Sequence, residues 1–231
     1  MKLQRFFVEE KLSLGKEITI RDVDFVHQVL KVFRKKSGDQ IVLLDNSGFE
    51  FLSTITTLGK KELTVLIEEE SEVENKTKIE VTLFASLIKK DKFEWVLEKC
   101  TEIGVSHFVP VVSERSEKKD LNMDRAQKIL KEASEQSERG TMPTICEPLS
   151  LNVVLHGVDF PVFAFHLLGE KFDAEKIIDV SRIGILVGPE GGWGENDLEV
   201  FKKNNIQLIT LGSQVLRAET ASVAVCAKIL L

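Results

Sequence analysis

The hydrophobic periodicity of this sequence changes near residue 74, and that change limits the folds open to the chain. Before it, short β-rich runs are separated by hairpin-turn sequences such as Asp45-Asn46-Ser47-Gly48. Within residues 49–55 every second side chain is mostly apolar, as on a strand with one buried face. Residues 24–33 instead repeat apolar side chains at helical spacing. A short helix inserted in a β-meander predicts a small β-barrel domain over residues 1–73.

Beyond this point, predicted strands alternate with predicted helices. Residues 79–85 resemble a strand, and residues 91–103 place apolar side chains on one helical face before Gly104 ends the pattern. The alternation also predicts strands at 107–112, 162–167, 183–187 and 207–211, and helices at 124–139, 195–204 and 220–231. This pattern is typical of an α/β domain with a parallel sheet covered on both faces, here over residues 74–231. The charged, aperiodic stretch 68–76 is the predicted linker.

The net charge of −6 argues against a nucleic-acid partner until its distribution is considered. Residues 1–40 carry nine Lys and Arg against six Asp and Glu, so this end of the chain is basic. Its densest cluster, Lys31, Arg34, Lys35 and Lys36, is either a binding patch or a solvated helix end. The charge pattern therefore leaves nucleic-acid binding open for the first domain.

Neither the cysteines nor the histidines are spaced for metal binding. Cys100, Cys146 and Cys226 form no CxxC pair, and the four histidines are isolated in the sequence. We therefore expect no metal site and no Cys/His nucleophile. No apolar run is long enough to span a membrane, and the charged N-terminus lacks a signal-peptide core, so we expect a cytoplasmic protein.

A glycine-rich segment, GPEGGWG at residues 188–194, lies between a predicted strand and a predicted helix. In α/β sheets this is the usual place for a ligand. The segment fits neither GxxxxGK[ST] nor GxGxxG, which excludes the common phosphate-binding loops. Its acidic neighbours Glu190, Glu195, Asp197 and Glu199 would repel a phosphate. A neutral or cationic ligand, such as the sulfonium of S-adenosylmethionine, fits better, although these residues could equally serve only to cap the helix.

A second segment with residues that could take part in chemistry, residues 211–221, also follows a predicted strand. It holds Arg217 and Glu219 in a stretch with no other charged residue, and Thr220 is positioned to cap the last helix. In a parallel sheet the two segments open on the same edge, which predicts a single site.

Motifs along nearly the whole chain resemble those of the RsmE-type ribosomal RNA uridine-N3 methyltransferases of the SPOUT superfamily. The residues that carry the resemblance are Arg5-Phe6-Phe7-Val8; His27, Leu30, Arg34, Gly38 and Asp39; Lys92, Glu94, Trp95, Glu102 and Gly104; Ser113-Glu114-Arg115-Ser116; Glu132, Ala133, Glu135, Gln136, Ser137 and Arg139; Gly188 to Gly192; Leu211 and Gly212; and Leu216, Arg217, Glu219, Thr220 and Ala221. The sequence departs from the family pattern at Lys31, where Arg is more usual, and at Cys100, where Ala is commoner.

This resemblance implies a PUA-like barrel followed by a SPOUT-type α/β methyltransferase domain with a trefoil knot. It also implies S-adenosyl-L-methionine as cofactor, a homodimer, and 16S ribosomal RNA or the small ribosomal subunit as substrate. The residues expected to form the cofactor pocket are the Leu167-Leu168 turn, Gly188, Glu190, Gly191, Gly192, Leu211, Gly212, Leu216 and Thr220.

In the implied reaction, the Arg217 guanidinium lies beside a uracil carbonyl and stabilises the charge that develops as N3 loses its proton. The alternative is a structural ion pair of Arg217 with Glu219 or with a neighbouring acidic residue. Glu219 is a possible base, but an ordinary Glu pKa of about 4.3 makes it a weak one, so we favour a positioning role. The residues expected to contact RNA are Arg5, Arg21, His27, Lys31, Arg34, Lys35, Lys36, Glu114 and Arg115. His27 could instead face the core, and Glu114 and Arg115 either reach across a dimer or form a surface pair.

Two other functions remain open from the residues. One is a non-catalytic RNA-binding protein with a relic cofactor loop. The other is a nucleotide-dependent α/β enzyme that uses residues 188–194 for phosphates, although the missing fingerprints and the acidic neighbours argue against it.

Overall fold

The computed structural model describes residues 3–74, 77–173 and 180–231. The chain divides into an N-terminal unit, Met1–Lys76 with Ser134–Met142, and a C-terminal unit, Thr77–Ala133 with Pro143–Leu231. Among the described residues, no helix is both long enough and apolar enough to cross a lipid bilayer.

The N-terminal unit is built on one five-stranded sheet. Its strands are β1 (Arg5–Phe7), β2 (Glu17–Ile20), β3 (Gln40–Leu44), β4 (Phe49–Leu58) and β5 (Leu63–Glu72), in the order β1-β3-β4-β5-β2. Helix α1 (Val23–His27) continues into a π-helical turn, Gln28–Val32, as the helical spacing predicts. Phe25 and Val29 pack with Phe6 and Leu43 in the core of the unit. The predicted small barrel is therefore observed as a half-barrel sheet with a short helical segment against it.

The prediction of a linker over residues 68–76 is wrong for its first half. Strand β5 extends to Glu72, and the end of β5 pairs with the start of β4, Phe49 opposite Glu72 and Leu52 opposite Glu69. Backbone pairing satisfies the amides of this stretch while its carboxylates stay in water, so a polar sequence is compatible with a strand here.

A segment distant in the sequence completes the N-terminal unit. The Phe7 amide donates to Glu135 Oε1 at 2.9 Å, and the Met142 amide donates to Asn46 Oδ1 at 2.7 Å. Met142 also packs against a small apolar cluster that includes Phe7. Residues 134–142 thus belong to the N-terminal unit through a hydrogen bond and an apolar contact, although residues 77–133 before them belong to the C-terminal one.

Asp45 is a buried carboxylate that holds the loops around β3. It accepts hydrogen bonds from the Leu12 amide at 3.3 Å and from the amide and hydroxyl of Ser47, and Lys11 Nζ lies 3.7 Å away. Burial by itself raises the pKa of Asp45, but the hydrogen bonds from Ser47 and Leu12 and the charge of Lys11 outweigh it, so the pKa is lowered.

We expect Asp45→Asn to lower the free energy of unfolding of the N-terminal unit by about 1 to 3 kcal/mol at neutral pH. Because the folded pKa is depressed, the stabilisation is present above the unfolded value of 3.8 and is lost as pH falls through the folded pKa. Native-state hydrogen exchange of β3 amides should therefore show a difference from the wild type that shrinks in acid. Asp24→Asn, an exposed carboxylate in α1, is the control; an equal effect in both variants would contradict the prediction.

The C-terminal unit contains a seven-stranded sheet in which every pairing is parallel. Its elements, in chain order, are β6 (Glu80–Ser86), α2 (Lys90–Ile103), β7 (His107–Val112), α3 (Met123–Gln136), β8 (Thr144–Ile145), β9 (Leu149–Ser150), α4 (Leu151–Leu155), β10 (Val162–Lys171), β11 (Arg182–Val187), α5 (Glu195–Lys203), β12 (Gln207–Thr210) and α6 (Ala218–Leu230). The sheet order is β12-β10-β11-β6-β7-β8, with β9 beside β7. The predicted parallel α/β sheet is confirmed.

Alternate side chains of the central strands belong to two separate cores. Leu83 and Ile185 pack with residues of α2 and α6 in one core, whereas Phe84 and Leu186 pack with Phe201 of α5 in the other. Because neighbouring side chains on a strand point to opposite faces, the two cores lie on the two faces of the sheet. Cys100 and Cys226 are buried in the first core.

Some predicted bounds in this unit are wrong. The elements β8, β9 and α4 lie where no periodicity predicts them, since each has five residues or fewer. Helix α3 ends at Gln136 rather than at residue 139. The last helix begins at Ala218, with Arg217 at its N-cap position, so Thr220 lies within the first turn and is not its cap.

Candidate functional site

The loops that carry the predicted site residues follow parallel strands and so open on one edge of the sheet. Strand β10 lies between β11 and β12, and β11 in turn lies beside β6. The glycine-rich loop, residues 188–194, follows β11, and the second loop, residues 211–217, follows β12. The expectation of a common edge for the two loops is met by the parallel pairing of β11, β10 and β12.

The glycine-rich loop is packed around Trp193. Its indole Nε1 donates to the Phe165 carbonyl at 2.9 Å, which ties the loop to β10. A Cβ on Gly188 would lie 3.1 Å from the Trp193 ring, a tight contact that a larger residue could make only if the ring shifted. Gly192 has a φ of +68°, in the left-handed region that favours glycine. Two of the glycines thus serve the shape of the loop.

The residues after β7 support the same loop from within the chain. Glu114 Oε2 accepts from the Asn196 amide at 2.9 Å, and Arg115 Nη1 donates to the Gly191 carbonyl at 2.9 Å. The Glu114 amide donates in turn to Asp197, whose Oδ2 also accepts from the Gly194 amide at 3.0 Å. Glu114 and Arg115 are therefore not a surface ion pair, because each is bonded to the glycine-rich loop or the start of α5.

The acidic side chains around the loop divide into two kinds. Asp197 is only 5% exposed and bonds the first turn of α5, as in the capping alternative. Glu195 and Glu199 are exposed, and Glu190 is half-exposed beside the start of α2. The loop therefore keeps negative charge that faces solvent, which disfavours a phosphate.

Strand β10 is interrupted where the Leu167-Leu168 turn is expected. Phe165 and Glu170 both lie opposite Ile209 of β12, so the residues between them leave the ladder as a bulge inside the strand. Leu167 and Leu168 are 54% and 87% exposed. Exposed apolar side chains at the carboxyl edge of a sheet are a surface that a ligand would cover.

Apolar side chains are also exposed in the loop after β12. Val215 and Leu216 are 77% and 38% exposed. Leu211 and Gly212 are partly buried at the start of the loop, where Thr210 Oγ1 donates to the Gly212 carbonyl at 2.9 Å. The expected cofactor residues therefore include three accessible leucines, two in the bulge of β10 and Leu216 in the loop after β12.

Arg217 and Glu219 do not pair with each other. The Arg217 side chain is exposed at the N-cap of α6 and forms no ion pair with any described residue. Glu219 Oε1 lies 3.6 Å from Lys92 Nζ, and its buried Oε2 has no hydrogen-bond partner in the described parts of the chain. The alternative of an Arg217–Glu219 ion pair is thus wrong, and the guanidinium is free to meet a ligand. Thr220 is exposed one residue further along.

The predicted RNA-contacting side chains of the N-terminal unit fall into two groups: those already bonded to other protein groups, and those that are exposed. Arg5 is ion-paired with Glu50 at 3.2 Å and with Glu138 at 3.5 Å, and only 16% of its side chain is exposed. Two more are engaged at the surface, Arg21 with Glu62 at 3.1 Å and Lys35 with the Gln40 carbonyl at 3.2 Å.

The other side chains of this set are His27, Lys31, Arg34 and Lys36, and all four are exposed. Exposure excludes the core-facing alternative for His27. Lys31, Arg34 and Lys36, which we call the exposed basic cluster, form no ion pair with described residues. Their three charges are available to a partner.

Two family models match the chain. Residues 74–230 match an RNA methyltransferase domain, and residues 29–68 match an RNA methyltransferase PUA domain. The chain belongs to this RNA methyltransferase family. The predicted fold class, a PUA-like domain before a SPOUT-type α/β methyltransferase domain, is confirmed, and the motifs that resemble the RsmE type lie within these two domains.

Named relatives cover the enzyme almost from end to end. A protein of Rickettsia conorii named ribosomal RNA small subunit methyltransferase E is 31% identical, over 99% of this chain and 96% of its own. A Bacillus subtilis protein of the same name is 29% identical over 95% and 93% of the two chains. The crystal structure of such a protein from Neisseria gonorrhoeae, bound to S-adenosyl methionine, superposes with a TM-score of 0.90 and 29% identity, covering 98% of this chain and 96% of that one.

Three side chains of the site are named in the motifs and loops of the sequence but were expected to bind neither cofactor nor RNA. Lys92 pairs with Glu219, Asp197 bonds the loop, and Trp193 shapes it. Trp193 could have been found, because it interrupts a run of glycines. Lys92 is one of the motif residues of the family resemblance, but its position gives no sign of a role in the site, since a lysine in the first turn of a helix is usually a solvated side chain.

Proposed function

We propose that the enzyme transfers a methyl group from S-adenosyl-L-methionine to N3 of a specific uridine in 16S ribosomal RNA. The observation that carries this proposal is the combination of a phosphate-repelling glycine-rich loop with a fold that matches a methyltransferase bound to S-adenosyl methionine over 98% of the chain. A sulfonium cation is compatible with the exposed carboxylates of the loop, whereas a nucleotide phosphate is not.

The residues at the edge of the sheet fit this cofactor. Backbone at Gly191 and Gly192 can be approached closely, and Leu167, Leu168 and Leu216 offer exposed apolar surface for a base. The remaining members of the proposed pocket are Gly188, Glu190, Leu211, Gly212 and Thr220. When bound, the cofactor supplies an activated methyl group; the chain supplies its orientation, which accounts for much of the rate in a transfer of this kind.

Arg217 acts on the nucleobase. Its guanidinium has no ion-pair partner among the described residues, so its charge is available to a uracil carbonyl oxygen. Negative charge grows on that oxygen as N3 loses its proton, and a fixed cation beside it stabilises the developing anion. Glu219, anchored by Lys92 rather than by Arg217, orients the start of α6 instead of acting as the base.

The N-terminal unit binds the RNA. The exposed basic cluster supplies phosphate contacts and His27 a ring for stacking on a base, with the engaged residues Arg5, Arg21 and Lys35 playing a lesser part. Because the N3 edge of uracil is occupied in a base pair, the target nucleotide must be splayed out to react. A structured RNA or an assembled small subunit is therefore the preferred substrate, and such a substrate favours a cytoplasmic enzyme.

Three parts of the proposal concern assembly. We propose a domain boundary near residue 74, a trefoil knot formed by the loops of the cofactor site, and a homodimer that completes the site. The accessible apolar side chains Leu168 and Val215 support a surface that a ligand or a second subunit covers. Glu114 and Arg115 would then support the RNA site through the glycine-rich loop that they hold.

Calorimetry and nucleotide mapping together test the proposed function. The purified protein should bind S-adenosyl-L-methionine, and ribosomal RNA from cells that lack it should lose N3-methyluridine at one small-subunit position. A relic cofactor loop would show no binding in calorimetry. Binding of ATP or NAD, or an unchanged methylation map, would instead overturn the proposal.

A further inference from the structure

Lys92 lies in the first turn of α2, and its ammonium faces two carboxylates that come from different loops. Nζ is 3.8 Å from Glu190 Oε1 in the glycine-rich loop and 3.6 Å from Glu219 Oε1 at the start of α6. Glu190 Oε1 also lies 3.5 Å from the Lys89 amide, just before α2. One end of α2 thus meets both loops at the carboxyl edge of the sheet.

This cluster differs from an ordinary surface ion pair. The side chains of Lys92 and Glu219 are only 25% and 14% exposed. Glu219 Oε2 is inaccessible to solvent and has no hydrogen-bond partner in the part of the chain that the structure describes. Lys92 is therefore the group that compensates a largely buried carboxylate, and such compensation matters more than a pairing in open water.

Helix α2 gives the Lys92 side chain a rigid point of attachment. Phe93 and Val96, next to Lys92 and one turn beyond it, are 2% and 1% exposed in the core of the unit. A lysine stem that leaves a buried helix has less freedom than one on a mobile loop. The ammonium can thus hold together two segments that are distant in the sequence, the glycine-rich loop at Glu190 and the start of α6 beside Arg217.

We propose that Lys92 is a positioning residue for methyl transfer, which holds the glycine-rich loop and the Arg217 end of α6 in register through Glu190 and Glu219. This assignment rests on the proposed function. Loss of the Lys92 ammonium should therefore lower kcat by more than a loss of fold stability alone would explain. Loss of the ammonium leaves two carboxylates without their cation and allows Glu219 to turn toward water.

The experiment compares Lys92→Met with Lys92→Arg, measuring methyl transfer to small subunits, cofactor affinity by calorimetry and thermal unfolding. We expect kcat of the Met variant to fall by roughly tenfold to a hundredfold, because small misplacements of reacting groups are costly. Arginine keeps the charge and should restore most of the rate. Cofactor affinity should weaken less than kcat, since Glu190 retains its contact with the Lys89 amide.

Lys99→Met is the matched control. Lys99 lies on the same helix and also contacts two glutamates, Glu98 at 2.8 Å and Glu102 at 2.9 Å, but neither belongs to a loop of the site. Its loss should leave kcat unchanged. Equal kcat in Lys92→Met and Lys99→Met would overturn the assignment. Should Lys92→Met fail to fold, Lys92→Gln carries the same comparison.

A double-mutant cycle tests whether Lys92 acts through Glu219. In a Glu219→Gln background, Lys92→Met should lower kcat further by no more than about threefold, because the coupled partner is already gone. A full additional loss would overturn the proposed coupling. A wild-type protein that shows no transfer would overturn the proposed function itself, whereas normal wild-type transfer with an active Lys92→Met variant would overturn only the role of Lys92.

Discussion

Replacement of Arg217 by alanine is expected to lower kcat for methyl transfer by about a hundredfold to a thousandfold, the cost of removing a donor from a developing oxyanion. Cofactor affinity should stay at the wild-type value, because Arg217 is not part of the pocket proposed for the cofactor. The guanidinium is exposed at the N-cap of α6 and has no ion pair with a described residue, so the fold should tolerate its removal.

Single-turnover rates with saturating cofactor, together with calorimetry, measure the two effects separately. Arg217→Lys should recover part of the rate, since an ammonium supplies charge but not the planar donor pair of a guanidinium. Arg182→Ala is the control: this arginine is half-exposed in the same unit and pairs with Glu80 and Asp159 at the start of β11. An Arg217→Ala protein that binds cofactor and methylates at the wild-type rate would refute the role of the guanidinium.

Removal of the exposed basic cluster should weaken RNA binding and flatten its salt dependence. In the triple variant Lys31→Gln, Arg34→Gln and Lys36→Gln, we expect the slope of log affinity against log salt to become shallower by roughly two to three, about one for each phosphate that is no longer neutralised. Affinity at low salt should fall by roughly tenfold to a hundredfold. The three side chains are exposed and form no ion pair among the described residues, so the fold should tolerate the change.

Filter binding of small-subunit RNA over a salt series measures this slope, and calorimetry checks that cofactor affinity is retained. The control variant removes three charges elsewhere in the N-terminal unit: Lys16→Gln, before β2, with Lys60→Gln and Lys61→Gln, at the turn between β4 and β5, all exposed. Equal slopes in the two triple variants would show that only total charge matters and would contradict a localised binding patch.

Local sequence patterns determined the order and type of most elements. Alternation over residues 49–55 fixed which side of β4 is buried, and helical spacing identified α2 up to Gly104. The wrong or missing secondary-structure predictions also have local causes. The acidic end of β5 resembles a linker because its carboxylates obscure the pairing of its backbone with β4. Strands of two residues, such as Thr144–Ile145, carry too few side chains for any period.

The motifs alone were sufficient for the family, and the glycine-rich loop marked the site that we propose for the cofactor. Tertiary structure decided which side chains serve that loop. Glu114 and Asp197 are 83 positions apart, and Phe7 and Glu135 are 128 apart, yet each pair is hydrogen-bonded. Pairings of this kind depend on strand order and register, which the spacing of residues along the chain does not encode.

The contrast is sharpest at Arg217 and Glu219. Their nearness in the sequence suggested an ion pair, but Arg217 precedes α6 while Glu219 lies within its first turn, so the two side chains leave the backbone in different directions. Glu219 instead faces Lys92 of a separate helix. The sequence by itself determined the family, the two kinds of domain and the loops of the proposed site. Only the packing of α2 against the sheet decided which charges meet there.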